Sequence, residues 1–239
     1  YYFRFCYYND LIVNIIYAFI FSFLAVIGYS IISIYIGKVA QKHGAFWTSF
    51  WIQVLGLPLT LLFVPFFGLQ LTPDARLLPF VVFGIGMTFT FLLYSKNLSI
   101  GPVSVVLSML RLSNLLIFFL AILFLHERVT VVKVASSFVM IFGVILVSFD
   151  VRELLKRRVQ TLTRAAPTIF LQIILQAVSV LFLGFGIKQF GGFSSNVGGR
   201  LFVVPIYLLL SLTRRKSKPG FTAVSWRMLL FITVVDVFA

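Results

Sequence analysis

The chain has 239 residues, 61% of them hydrophobic and only 11% charged, with 20 Lys and Arg against 6 Asp and Glu. Soluble domains run at roughly 45–50% apolar and about 25% charged, so a water-soluble enzyme or binding module is excluded and a helical membrane protein is indicated. The formal charge of +14 lies in short blocks between apolar runs rather than along one face, which fits lipid headgroups and topology and not nucleic acid.

In chain order, apolar runs near residues 11–36, 45–67, 77–95, 101–125, 130–149, 166–187 and 195–212 are each long enough to be a membrane span. Crossing takes around 20 apolar residues at about 1.5 Å each. The short connections carry the breakers: Lys42, His43 and Gly44; Thr72, Pro73 and Asp74; Asn97 through Pro102; His126 through Thr130. Short connections imply antiparallel neighbours. Residues 150–165 and 213–226 are basic and read as aqueous loops or surface segments. The last run, 227–239, starts an eighth helix and is too short to span, so the sequence is expected to stop inside a helix. The single cysteine, Cys6, excludes an intrachain disulfide or a four-thiolate metal site and reads as a bystander.

Self-similarity is weak but ordered. IYIGKVAQKHGAFWTSFWIQ at 34–53 can be laid on GFGIKQFGGFSSNVGGR at 184–200 with a shift of about 148, and Arg76 with LLPFVVFG on Arg227 with MLLFITVV at a similar shift. The expected organisation is a first five-helix repeat over 1–150, a basic connecting loop over 151–165 and an incomplete second repeat over 166–239.

The run GPVSVVLSMLRLSNLLIFFLAILFLHERVTVVKVASSFVMIFGVILVSFD at 101–150 resembles the drug/metabolite transporter superfamily, specifically its EamA-like domain. The matching features are Gly101 and Pro102 opening the fourth helix, the small residues Ser104 and Ser108, the Leu125 to Thr130 segment with Glu127, and a fifth helix ending in GVILVS. IKQFGGFSSNVGGR also looks like that family's first-to-second helix junction. The resemblance implies ten helices in two inverted five-helix repeats, here with the second truncated, and export or exchange of small metabolites, amino acids, sugars or drugs.

Polar residues inside the apolar runs are the candidate pathway. Ser104, Ser108 and Arg111 fall within about 60° of each other on helix four, with Asn114 at the edge of that face. The face is either a wall of the substrate pathway or a helix–helix seam. Gln172, Gln176 and Ser179 repeat the pattern on helix six, followed by Gly186, and Asn14, Ala18, Ala25 and Gly28 answer faintly on helix one. These face either a central cavity or interhelical hydrogen-bond partners. Thr90, Tyr94 and Asn97 share a face of helix three, while Trp47 and Trp51 read as an interfacial anchor. Asp236 is the candidate for proton coupling, because a carboxylate within a span is costly unless paired or wet. Arg111, near mid-bilayer, needs an acceptor for its five donors: an anionic part of the substrate or an acidic partner, of which Asp236 is the visible one.

Nothing points to chemistry. Glu127 suits the N-terminus of helix five as a cap, His43 and His126 lie in loops, and GFGIKQFGG follows no strand, so neither a metal nor a nucleotide site is expected. The leading reading is an alternating-access secondary carrier in the lipid bilayer, with a small-molecule substrate, no cofactor and room for a homodimer, the plasma membrane being favoured. A non-transporting membrane scaffold or subunit is the alternative, and a membrane-embedded enzyme the third. With eight spans, 13 basic residues including Lys42, Lys96, Arg157 and Arg214 share one side and 6, including Arg128, Lys188 and Arg200, share the other. The positive-inside rule then puts 150–165 in the cytoplasm and the N-terminus outside, whereas the family resemblance implies a cytoplasmic N-terminus.

Overall fold

A computed structural model describes residues 2–71, 77–100, 103–126, 130–131, 134–139, 142, 159–214 and 223–238. Side chains of 2–19, 21–22, 104–105, 159–165, 223–224 and 238 lie outside that description, and with them Cys6, Asn14, Ala18 and Ser104. The described residues form an all-α bundle with no strand: α1 (Tyr2–His43), α2 (Ala45–Leu61), α3 (Val64–Phe67), α4 (Leu78–Ile100), α5 (Val103–Leu110), α6 (Leu112–Leu125), α7 (Val159–Phe190), α8 (Gly192–Thr213) and α9 (Ala223–Phe238). Residues 134–139, within the span expected at 130–149, are also helical; the rest of that stretch and Glu127 are largely outside the described residues.

Five stretches are long and apolar enough to cross a membrane: Phe23–His43, Leu78–Ile100, Val106–Leu125, Ala166–Phe190 and Gly192–Thr213. Most of their large outward side chains are apolar, Phe170 and Leu123 each being 66% exposed. In water such continuous apolar surface would be a liability, whereas in lipid it is the expected outer face.

Several boundaries differ from those the sequence implies. α1 runs through Lys42 to His43, because a basic residue such as Lys42 suits a helix C-terminus as well as a loop. His43 is buried and its Nε2 lies 2.7 Å from Ser225 Oγ, so neither His43 nor the start of α9 is an aqueous loop. α4 likewise continues past 95 to Ile100 and carries Asn97 into the interior. The run 45–67 is split into α2 and α3. The Leu62 and Phe63 N–H groups bond back to the carbonyls of Pro58 and Thr60, and Pro65, which has no N–H to give Leu61, starts a separate short turn. The helical stretch 159–165 takes up part of the expected connecting loop.

The α1–α2 and α7–α8 junctions are built alike. Gly44 (φ 87°) and Gly191 (φ 77°) each donate to the carbonyl four residues back, Ala40 and Ile187. Each glycine carbonyl then accepts both the N–H and the hydroxyl of a residue four ahead, Thr48 or Ser195. The two corners are 147 residues apart.

Two apolar clusters hold the bundle. One joins Ile32, Ile36, Ile52, Leu98, Ile169 and Leu229; the other joins Phe46, Trp47, Phe50, Phe83, Val203 and Tyr207. Trp47 is therefore a core residue, and Trp51 packs edge-on against Trp226 at 4.8 Å between ring centroids, which replaces the interfacial-anchor reading. Close helix approach depends on glycine: a Cβ on Gly84 would meet Phe202 at 2.7 Å, one on Gly86 would meet the Ser179 hydroxyl, and one on Gly186 would meet the Phe80 ring. Ser179 and Gly186 thus belong to a seam between α7 and α4.

Candidate functional site

Within the bundle α1, α4, α5, α6, α7 and α9 surround a cavity of about 250 Å³. Tyr29 and Ser33 reach it from α1, Thr90, Phe91 and Tyr94 from α4, Gln172 and Gln176 from α7, and Asp236 from α9. The remaining wall comes from Leu107, Leu110, Arg111, Ser113 and Asn114. Polar groups thus converge from five sides on one space, with Met87, Phe91 and the two leucines as its apolar part.

The α5–α6 wall shows how local chemistry shapes the site. Ser113 Oγ donates to the Leu110 carbonyl at 2.7 Å, taking the acceptor that an uninterrupted α-helix would offer to the Asn114 N–H. Asn114 N–H bonds to the Arg111 carbonyl instead, and the Arg111 N–H is shared between Leu107 and Ser108. The continuous helix expected over 101–125 is accordingly tightened at Arg111. The residues turned inward, 107, 110, 111 and 114, follow helical i, i+3, i+4, i+7 spacing. This face is rotated by roughly 80° from the one centred on Ser104, Ser108 and Arg111. Ser108 consequently does not line the cavity, and the Ser104 side chain lies outside the described residues.

Hydrogen bonds fix the orientation of several lining groups. Ser33 Oγ donates to the Tyr29 carbonyl, so in the 2.6 Å contact between Ser33 Oγ and Tyr94 Oη the tyrosine is the donor. Thr90 gives its hydroxyl proton to the Gly86 carbonyl. On α7, Thr168 Oγ1 donates to Asn97 Oδ1 at 2.7 Å and Asn97 Nδ2 to Gln172 Oε1 at 2.8 Å. That relay sets which end of the Gln172 amide faces away from Asn97. It also gives Asn97 a supporting place behind the cavity rather than in its lining.

Arg111 makes no ion pair with a carboxylate among the described residues. Asp236, the acid expected within its reach, is taken by another arginine: Arg200 Nη2 lies 2.8 Å from Asp236 Oδ2, with the two side chains 10% and 8% exposed. Arg200, assigned by sequence to the outer face, is thus in the interior, eight residues into α8. Among the described residues the cavity lining therefore has one cation, Arg111, and one carboxylate, which is already paired with Arg200.

Tyr94, Arg111, Asn114, Gln172, Gln176 and Asp236 are brought together at this site. Tyr29, Ser33, Ser113 and Arg200 were not picked out in the sequence. Tyr29 and Ser33 carried a readable signal, a polar pair at i, i+4 on an apolar helix; the Arg200 partnership, formed across 36 residues, carried none. Among the described residues no group of three His, Cys, Asp or Glu could hold a metal ion.

The sequence profile of the EamA-like transporter family matches residues 16–149, more than half of the chain. The chain belongs to the EamA-like transporter family. It is an integral membrane protein of the transporter type. The matched EamA-like stretch contains Tyr29, Ser33, Thr90, Tyr94, Arg111 and Asn114. Gln172, Gln176, Arg200 and Asp236 lie beyond it. A comparison with curated proteins finds no match.

Proposed function

We propose that the chain is an alternating-access secondary carrier whose substrate is a small organic metabolite with one anionic group, received by Arg111. The carrying observation is the convergence of helices on a polar-walled cavity whose single cation is not paired to a carboxylate among the described residues. An Arg in the membrane interior is unfavourable by about 2.5–3.5 kcal/mol on insertion scales, so its retention calls for an acceptor. A substrate carboxylate, matched to the planar fork of the guanidinium, is such an acceptor. The volume supports a small ligand: about 250 Å³ exceeds the roughly 150 Å³ of a cavity that takes benzene and falls just short of the usual range of about 300–1,000 Å³ for ligand pockets.

Alternating access draws support from the repeat. Tyr29 on α1 and Gln176 on α7 both line the cavity and are separated by 147 residues, the same separation as the two glycine corners. A site between corresponding helices of two repeats is where a rocking carrier holds its load.

The test is counterflow of small radiolabelled carboxylates in proteoliposomes containing the full-length protein. Counterflow without chemical change is expected of a carrier, and none at all would leave the scaffold reading. Arg111→Lys keeps the charge and loses the fork, so transport should fall at least tenfold while thermal stability stays near that of the parent, about 1.4 kcal/mol of lost substrate interaction. An Arg111→Leu protein that transports at the original rate and affinity would remove Arg111 from the site.

A further inference from the structure

We propose that Asp236 and Arg200 form a proton-operated latch, so that one proton enters the cavity with each substrate anion and the two move together. The proposal rests on the carrier reading and adds the coupling ion and the device that senses it.

Asp236 faces two ways. It lines the cavity, and its Oδ2 accepts from Arg200 Nη2 of α8. Arg200 is held from behind: its Nε donates to Asn196 Oδ1 at 3.2 Å, and its Nη1 is buried with no hydrogen-bond partner. That Nη1 sits in a notch at Gly56 of α2, where a Cβ would come within 2.1 Å of it. The guanidinium is therefore wedged between α2, α8 and α9, with Asp236 as its only carboxylate among the described residues and one nitrogen without a hydrogen bond there. Such an arrangement is stable only while the carboxylate is ionised, because a buried charge whose partner is neutralised is strongly unfavourable.

Protonation supplies the switch. A proton from cavity water adds to the Asp236 carboxylate and gives the neutral acid, while Arg200 keeps its own proton and its charge. The attraction that ties α8 to α9 is lost, and the guanidinium must seek water or another acceptor. The other titratable groups around the carboxylate are Tyr29 of α1, Tyr94 of α4 and Arg111, all within electrostatic range of one another. α2 presents no titratable group, only the Gly56 notch. On α9 itself, Arg227 is exposed and nine residues away.

The charge count favours movement of proton and anion together. The empty site holds Arg111 and Arg200 as cations and Asp236 as an anion, a net charge of about +1. Loaded with a monoanion and a proton it holds two cations, a neutral acid and one anion, again about +1. Empty and loaded carriers thus face the same electrostatic barrier to rearrangement in the membrane, which neither ligand alone would allow.

The experiment uses full-length protein in liposomes, first without substrate. Infrared difference spectra on acidification should show the carbonyl stretch of a protonated carboxylic acid in the parent. The component of that stretch due to Asp236, obtained by subtracting the Asp236→Asn spectrum from the parent's, should be displaced in Asp236→Glu, the second variant serving if the first does not fold. Spin labels at the exposed positions Leu212 of α8 and Leu230 of α9 should separate by about 2 Å or more on acidification, the scale of helix shifts in switching proteins. An acidification spectrum that is the same in the parent and in both Asp236 variants, or an Asp236 component that appears with no change in the α8–α9 distance, overturns the latch. Uptake of radiolabelled benzoate by the parent, after subtraction of uptake by protein-free liposomes under the same gradient, should then be accelerated at least fivefold by an inward proton gradient, and protein-dependent uptake indifferent to the gradient also overturns the proposal. Absence of benzoate counterflow in the parent would count against the carrier reading, while the spectra still decide the latch.

Discussion

Asn97 connects the cavity to the framework behind it, since it accepts from Thr168 and donates to Gln172 with no exposure of its own. Removing it leaves two polar groups of α7 without these partners in an apolar interior, at a cost of about 1–3 kcal/mol for each group left unsatisfied. Asn97→Ala should therefore lower the thermal midpoint in detergent by several degrees and weaken substrate affinity through a released Gln172 amide. A variant with unchanged midpoint and affinity would show that water replaces the asparagine at no cost. Residues of this kind were partly legible. Arg111, Gln172, Gln176 and Asp236 stand out because ionised or amide groups in an apolar run need a reason. Tyr29 and Ser33 give only the weaker signal of a polar pair at i, i+4, because tyrosine is half apolar and a serine can return its hydroxyl to its own helix, as Ser33 does to the Tyr29 carbonyl. Asp236 was recognisable as a carboxylate in need of a partner, but the choice of Arg200 over Arg111 is made by the packing of α8 against α2 and by the Gly56 notch.

At the scale of elements, the glycine corners make a sharper test of the repeat than sequence identity does. Gly44 and Gly191 have φ of 87° and 77° with ψ of 147° and 169°, a region that side chains other than glycine's rarely enter. A Cβ at either position would meet nothing within 4 Å, so an alanine there is opposed by backbone strain alone. Gly44→Ala and Gly191→Ala should each destabilise by about 1–3 kcal/mol, by similar amounts, and add in the double variant because the sites are distant. Chemical denaturation in detergent measures this, and a large cost at one corner with none at the other would remove their energetic equivalence. The existence of most helices could be read from run length, but their ends could not. Lys42 and His43 look like a loop in sequence and are the last turn of α1; Asn97 looks like a breaker and is inside α4. In each case a polar residue ends an apolar run without ending the helix, because a basic side chain suits the helix C-terminus and a buried asparagine finds partners on a neighbouring helix. The tightening at Arg111 turns on one serine hydroxyl competing for a carbonyl, a choice that helical periodicity does not express.

For the whole molecule, the contacts sort the helix ends into two groups and bear on how the bundle sits in the membrane. His43 at the end of α1 meets Ser225 near the start of α9, and Arg214 after α8 lies 4.7 Å over the ring of Phe46 at the start of α2. Gly37 of α1 lies against Leu98 near the end of α4, which in turn joins the start of α7 through Asn97 and Thr168. Lys38, Lys42, Lys96 and Arg214 therefore belong to one end of the bundle. The opposite end is marked by Lys188, whose Nζ donates to the Leu125 carbonyl where α6 stops. The placement of Arg200 in the interior removes one charge from that end and widens the asymmetry. Because Lys and Arg in short loops are retained on the cytoplasmic side, the basic end should be cytoplasmic and the N-terminus outside. This orientation is opposite to the one the family resemblance implies, so the outcome discriminates. A cysteine replacing Gln160 in a Cys6→Ser background should escape an impermeant thiol reagent in intact cells that display the protein at their surface, and react once the membrane is permeabilised. Cys6 in the parent should react in intact cells, as the internal control for the outward N-terminus. Labelling of the residue-160 cysteine in intact cells, with Cys6 protected, would reverse the assignment and show that determinants other than loop charge orient this bundle.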